Sequence, residues 1–229
     1  MKLQIGLTIT SRTALSVGAG GSAGTIADKS IVRDGWGRPL IPGSQVKGKL
    51  RWATEQLLRG LGQDIPAPSD GSQREELPTL VRTLFGSPEL RSPLHFADLP
   101  GVIGDLEQID DLRASAEQHR TQIRPSVAIS RQRGTAADKL LIFQEAAPEL
   151  MRFHAERAVI GSISSLEEAA LLWAAARLTT RWGGGKSRGL GWASVTTRVL
   201  LDEVEVPAET LRQALRDLVE REGGPDAAA

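Results

Sequence analysis

The chain has 229 residues, 40% hydrophobic and 24% charged, with 28 Lys/Arg balanced by 28 Asp/Glu and no cysteine. That composition suits one large or two small globular domains and excludes collagen-like, coiled-coil and wholly disordered chains. The absence of cysteine excludes disulfides, thiolate nucleophiles and Cys-type zinc sites. No apolar run reaches the roughly 18 residues of a membrane-spanning helix, and the first ten residues do not read as a signal peptide, so a cytoplasmic location is expected.

The charge is zero in sum but uneven along the chain. Residues 1–59 carry nine Lys/Arg against three Asp/Glu, residues 120–139 five against one, and residues 181–198 four against none. Acid is concentrated in 98–117 and 201–226. Such blocks fold either into one basic face, which suits nucleic acid, or into an evenly solvated surface.

In chain order, Leu3, Ile5, Leu7 and Ile9 alternate with polar residues or glycine and predict a half-buried strand. The Gly/Ala/Ser-rich stretch 18–27 reads as a flexible loop. Pro42-Gly43 then precedes Ser44, a candidate N-cap. Val46, Leu50, Ala53 and Leu57 follow at helical spacing as far as Gly60 and Gly62. Lys47, Lys49 and Arg51 in the first turns oppose the helix dipole, as a site built to hold an anion would. Residues 63–76 read as a loop. A short helix through Leu80–Phe85 ends at Gly86, and Leu94–Ala97 reads as a strand. Residues 100–120 are acidic and weakly patterned. Residues 121–134 set Arg124, Arg131 and Arg133 around Val127 and Ile129 before a Gly134 turn. Lys139–Gln144 and Leu150–Ile160 are strand candidates. Ser164 and Ser165 stand three residues before Glu167 and Glu168, which offers a capping box for a helix to about Thr180. Gly191–Leu200 reads as a last core strand, Pro207–Glu222 as an amphipathic helix, and the Gly/Ala-rich end as a frayed tail. The order strand, helix, strands, helix, strand predicts an α+β, ferredoxin-like fold of the kind that binds single-stranded RNA.

Chemistry-bearing patterns are few. Gly185-Lys186-Ser187 lacks the upstream glycine of a phosphate-binding P-loop, with Thr180 in its place, and it follows a helix instead of opening one. The stretch 183–192 reads either as backbone amides plus Lys186 and Arg188 around an anion, or as a Gly-rich turn with solvated cations. His95, His119 and His154 show no ligand spacing. Asp28, between the Gly-rich loop and Lys29 and Arg33, is either a carboxylate poised beside a ribose 2′-OH or metal ion, or half of a surface ion pair.

Five segments taken in order narrow these alternatives. ADKSIVRDGWGRPLIPGSQVKGKLR (27–51), Leu84-Phe85-Gly86 with Leu94–Asp98, Arg124–Arg131 with Gly134, Phe143-Gln144-Glu145, and GGGKSRGLGW (183–192) together resemble the RAMP superfamily of type III CRISPR effectors. The length and the Asp-bearing loop are most similar to the repeated backbone subunit of Csm/Cmr-type complexes. The resemblance implies a single RAMP domain over 1–206, ferredoxin-like (RRM-like), with insertions at about 18–34 and 100–140. One of those insertions would form a thumb β-hairpin, and 207–229 would add a C-terminal helix and tail. It implies copies stacked in a filament on guide CRISPR RNA, beside other type III effector subunits, with complementary target RNA cut at regular intervals. Asp28 matches the family's catalytic position and would hold Mg²⁺ or another divalent cation. Gly43, Ser44, Lys47, Lys49, Arg51, Gly184, Lys186, Ser187 and Arg188 match the guide-contacting segments, and Arg124, Arg131 and Arg133 add cations. Gln45 departs from the usual Ser and Ser30 from the frequent Pro. The alternative reading is a scaffold or end cap of the same fold that only binds guide RNA.

Overall fold

The computed structural model describes residues 1–19, 28–65, 79–102 and 121–222. Residues 20–27 of the flexible loop expected over 18–27, residues 66–76 of the loop expected over 63–76, residues 103–120 of the acidic stretch 100–120 and the tail after 222 lie outside them.

The fold is mixed α+β with antiparallel sheets. β1 (Lys2–Ser11) is the central strand. Its alternation sends Leu3, Ile5, Leu7 and Ile9 into the core. β7 (Arg152–Ser162) and β8 (Ala193–Leu201) flank it, both antiparallel. Beyond β7 lie β3 (Leu94–Phe96) and β4 (Leu99–Val102), then β2 (Leu40–Ile41) on β4. β9 (Val204–Glu205) closes the other edge on β8. Three helices, α1 (Gly43–Gly60), α3 (Leu166–Leu178) and α4 (Ala208–Glu222), share one apolar core with the inward residues of the sheet. Leu50, Leu171 and Leu218 are all within 1% of full burial, and each such side chain contributes about 1.5–3 kcal/mol. The opposite face of the sheet carries Gln4, Thr8, His154, Glu156, Thr196 and Arg198, around a shallow hollow.

Helix ends follow local chemistry. Ser165 caps α3 by accepting from the Glu168 N–H at 3.4 Å, and the Glu168 carboxylate reaches back to the Ser164 N–H at 2.7 Å. α2 (Leu80–Phe85) ends at Gly86. There φ is +79° and an added Cβ would meet Leu90 and Ser92 backbone. At α1 the expectation is corrected: the cap is Pro42, and Ser44 already lies inside the helix. The reason is tertiary. The Asp98 carboxylate accepts from the Gly43 N–H at 2.7 Å, so an acid from beyond β3 caps the helix and offsets its basic first turns. Gly43 is wedged so closely on Phe96 that a Cβ would collide with that carbonyl.

β5 (Gln122–Ile129) and β6 (Ala136–Ala146) form a separate two-stranded sheet. A Ser130–Thr135 turn joins them, with Gly134 at φ +64°. Ile123, Val127, Ile129, Leu140, Leu141 and Ile142 along this hairpin are exposed. An isolated ribbon is marginal in water and a row of exposed apolar side chains marks a contact surface. β2, β4, β5 and β9 are additional to the expected strands.

Candidate nucleic-acid interface

Asp28 is the first described residue after 20–27. Residues 28–31 run along the end of β6. The Lys29 N–H donates to the Phe143 carbonyl and the Glu145 N–H to the Lys29 carbonyl, at 3.2 and 2.9 Å. The Asp28 side chain is exposed, and its Oδ2 accepts from the Phe143 N–H at 2.8 Å. Oδ1 has no partner among the described residues.

Glu145 holds this segment in place. Its side chain is 5% exposed, and it accepts from the Ile31 N–H at 3.0 Å and from both Arg33 and Thr121 at 2.5 Å. Burial pushes its carboxyl up, but the bonds from Thr121, Ile31 and Arg33 outweigh that and hold it below the usual carboxylate range. The Ser16 hydroxyl donates to the Glu145 carbonyl at 2.7 Å, while the Ser16 carbonyl accepts from the Gly184 N–H at 2.7 Å. One residue thus ties the Asp28 segment to the second Gly-rich loop, residues 183–192.

That loop is built by its glycines. Gly183, Gly185, Gly189 and Gly191 all have φ between +68° and +81°. A Cβ at Gly183 would strike the Ser16 carbonyl, and one at Gly191 the Trp182 carbonyl. Lys186, Ser187 and Arg188 form a single exposed 3₁₀ turn between Gly185 and Gly189. The Gly184 amide, an expected anion donor, is already bonded to Ser16. Together the two segments enclose a groove of about 600 Å³, lined by Asp28, Lys29, Gln144, Gly184, Gly185 and Arg188 with Ser16, Gly18 and Ser30.

α1 presents the remaining cations unevenly. Lys49 faces Lys186 across a smaller cavity. Burial, then the adjacent Lys186, lowers its pKa from 10.5 to about 8. Lys47 stands 5.9 Å over the Phe96 ring. Arg51 is committed to the fold, donating to Glu55 at 3.0 Å and to the Gly86 carbonyl at 3.3 Å. Ser44 is exposed at the start of the helix, whereas Gly43 is buried. Arg124, Arg131 and Arg133 are exposed on the hairpin and its turn. The turn lies roughly 20 Å along β6 from Phe143, by the ordinary strand rise.

The structure therefore brings Asp28, Gly184, Gly185 and Arg188 to one groove, and Lys49 and Lys186 to a second. It leaves the three hairpin arginines apart. Sequence reasoning assigned no role to Glu145, Ser16 or Thr121. A signal existed for Glu145, a carboxylate that closes the apolar run from Leu140 to Phe143. As for a metal ion, no three His, Asp or Glu side chains cluster among the described residues. Asp28 with one free oxygen fits the manner in which Mg²⁺ is held, through one or two carboxylates plus phosphate oxygens and water. No helix among the described residues is long and apolar enough to cross a membrane.

A family model described as the RAMP superfamily matches residues 8–194. No curated protein matches the chain.

Proposed function

Since the chain belongs to the RAMP superfamily, we propose that it is a CRISPR-associated RNA-binding subunit, the repeated backbone of a type III effector, and that it cleaves target RNA paired to the guide. One observation carries the reading. Asp28, from the segment after β1, lines the same groove as Gly184, Gly185 and Arg188 of the Gly-rich loop, at the foot of the exposed hairpin. The sheet order β8-β1-β7, with α1 and α3 in the connections, supports the ferredoxin-like reading. The β5–β6 hairpin supports a thumb within 100–140 in preference to 18–34.

In this reading Arg188 and Lys186 hold phosphates, which supplies affinity without reading sequence, and the guide reads sequence by pairing. Asp28, through a bound water that leaves Oδ1 free, would help hold a divalent cation such as Mg²⁺, which would supply charge neutralisation at the scissile phosphate. Asp28 Oδ1 takes the proton of a target-strand 2′-OH. The 2′-oxygen bonds to the adjacent phosphorus as the bond to the 5′-oxygen breaks, and the proton passes to that leaving oxygen. Glu145 keeps Asp28 in position throughout. The protein would work in the cytoplasm, in a filament of its own copies beside other effector subunits.

The test is target-RNA cleavage by the guide-loaded complex, wild type against Asp28→Ala. Evenly spaced products that vanish in the variant and on chelation, with target binding retained, are expected. A second reading has its own support: Asp28 is the only carboxylate lining the groove among the described residues, and its Oδ2 is spent on Phe143. A scaffold or end cap predicts binding without cleavage in both proteins, and unchanged cleavage in the variant would remove Asp28 from the chemistry.

A further inference from the structure

Beside the Asp28 groove lies a separate cavity of about 330 Å³, lined by Gln45, Gly48, Lys49 and Trp52 of α1 and by Lys186 of the Gly-rich loop. It is at the small end of ligand pockets, which run roughly 300–1,000 Å³, and it suits a single nucleotide.

Three features of this cavity have no explanation among the described residues. Trp52 is 60% exposed, more than any other aromatic side chain of the protein. By contrast, the exposed Trp192 has its ring covered by Arg181 at 3.2 Å. Gly48 stands one turn before Trp52, in mid-helix, where glycine is unfavourable relative to alanine. A Cβ there would meet nothing within 4 Å among the described residues, so none of them requires the glycine. What it does is leave bare the turn over which a residue at position 52 leans. Lastly, Lys49 and Lys186 meet at the same cavity, and no carboxylate lines it among the described residues. Two ammonium groups held together by the fold repel each other until an anion lies between them.

We propose that this cavity is a subsite for one nucleotide of single-stranded RNA: an unpaired base stacks on the Trp52 indole over Gly48, and the adjoining phosphate lies between Lys49 and Lys186. The inference rests on the RNA-binding reading above and adds Trp52 and Gly48 to it. The lowered pKa of Lys49 agrees, since a phosphate would restore the charged form. Stacking on an aromatic platform tolerates any base.

The experiment measures affinity of the full-length protein for a labelled short oligoadenylate and for a matched oligomer whose sugars carry no bases. Trp52→Ala is expected to weaken oligoadenylate binding about tenfold, the ordinary scale of one stacked base. It leaves the abasic oligomer unaffected, and Trp52→Phe restores most of the loss. Lys49→Ala weakens both oligomers alike. Equal losses on the two oligomers for Trp52→Ala, or no loss on either, would overturn the subsite. So would loss of self-association with oligoadenylate binding unchanged, which would mark Trp52 as a protein contact. Failure of the wild type to bind either oligomer would overturn the RNA-binding reading itself, and the subsite with it.

Discussion

Two neighbouring regions of this molecule treat charge in opposite ways. Around Asp28, Glu145 accepts three bonds, from Arg33, Thr121 and the Ile31 amide, and the segment that carries Asp28 is stitched to β6 and to the Gly-rich loop. Around Lys49, the fold sets one ammonium beside another and exposes an indole. The first region is satisfied by its own residues and so holds a single geometry. The second is unsatisfied and so is completed by a ligand. Perturbed and unpaired groups mark function when geometry also points outward, and structural roles when it points inward.

The largest effect that sharpens this contrast is on chemistry. Asp28→Ala removes cleavage by about 10²–10⁴-fold, the usual contribution of a positioned acid–base group, with target binding preserved. Comparable cleavage by the variant breaks the assignment of the first region as catalytic. Next is stability. Glu145→Gln leaves Arg33 and the Ile31 amide poorly paired and lowers unfolding free energy by about 1–3 kcal/mol, read by thermal or urea denaturation. Because the folded carboxyl titrates below 4.5, Glu145 contributes stability that is intact at neutral pH and lost as pH falls below 4.5 through the folded value. The gap between wild type and variant therefore closes on acidification, and a gap that persists at low pH assigns the loss to packing instead.

Lys49 shares the direction of the pH slope, because its folded pKa is lowered too, but its contribution at neutral pH is destabilising. Its folded pKa of about 8 lies below the ordinary 10.5, so the folded chain sheds the proton first and the charged form is strained at neutral pH. Wild-type stability gains from this group as pH rises from about 8 toward 10.5. Lys49→Met should be more stable at pH 7, by about 0.5–2 kcal/mol, and bind RNA more weakly, a trade of stability for function. RNA affinity of the wild type falls as pH rises through 8, and that of the variant does not follow; parallel pH profiles would break the second half of the comparison. The smallest effect is on salt dependence. Arg188→Ala lowers the salt slope of RNA binding by about one, and an unchanged slope takes Arg188 off the phosphate path.

Much of the fold was legible because its signals are local. Strict alternation marked β1, helical spacing marked α1, and the Ser165–Glu168 pair and Gly86 marked helix ends through bonds made within a few residues. Asp28 and the Gly-rich loop were singled out by residue type and resemblance. The edge strands β2, β4 and β9 were not legible. They are two to four residues long and exist only because a neighbour supplies their hydrogen bonds. The α1 cap was misplaced for a related reason: Ser44 has the right chemistry, but Asp98, 55 residues beyond Gly43, reaches the Gly43 amide.

What residue order alone established was the set of parts: an amphipathic α+β chain, a lone acid after a glycine-rich loop, and two basic segments far apart in sequence. Which parts meet was decided by tertiary packing. Ser16 joins Glu145 to Gly184 and so places Asp28 and Arg188 on one groove. The approach of the Gly-rich loop to α1 turns Lys49 and Lys186 into a repelling pair beside an open indole. Local patterning reports which way a residue faces, whereas a binding site depends on distances across the sheet that only the packed core sets.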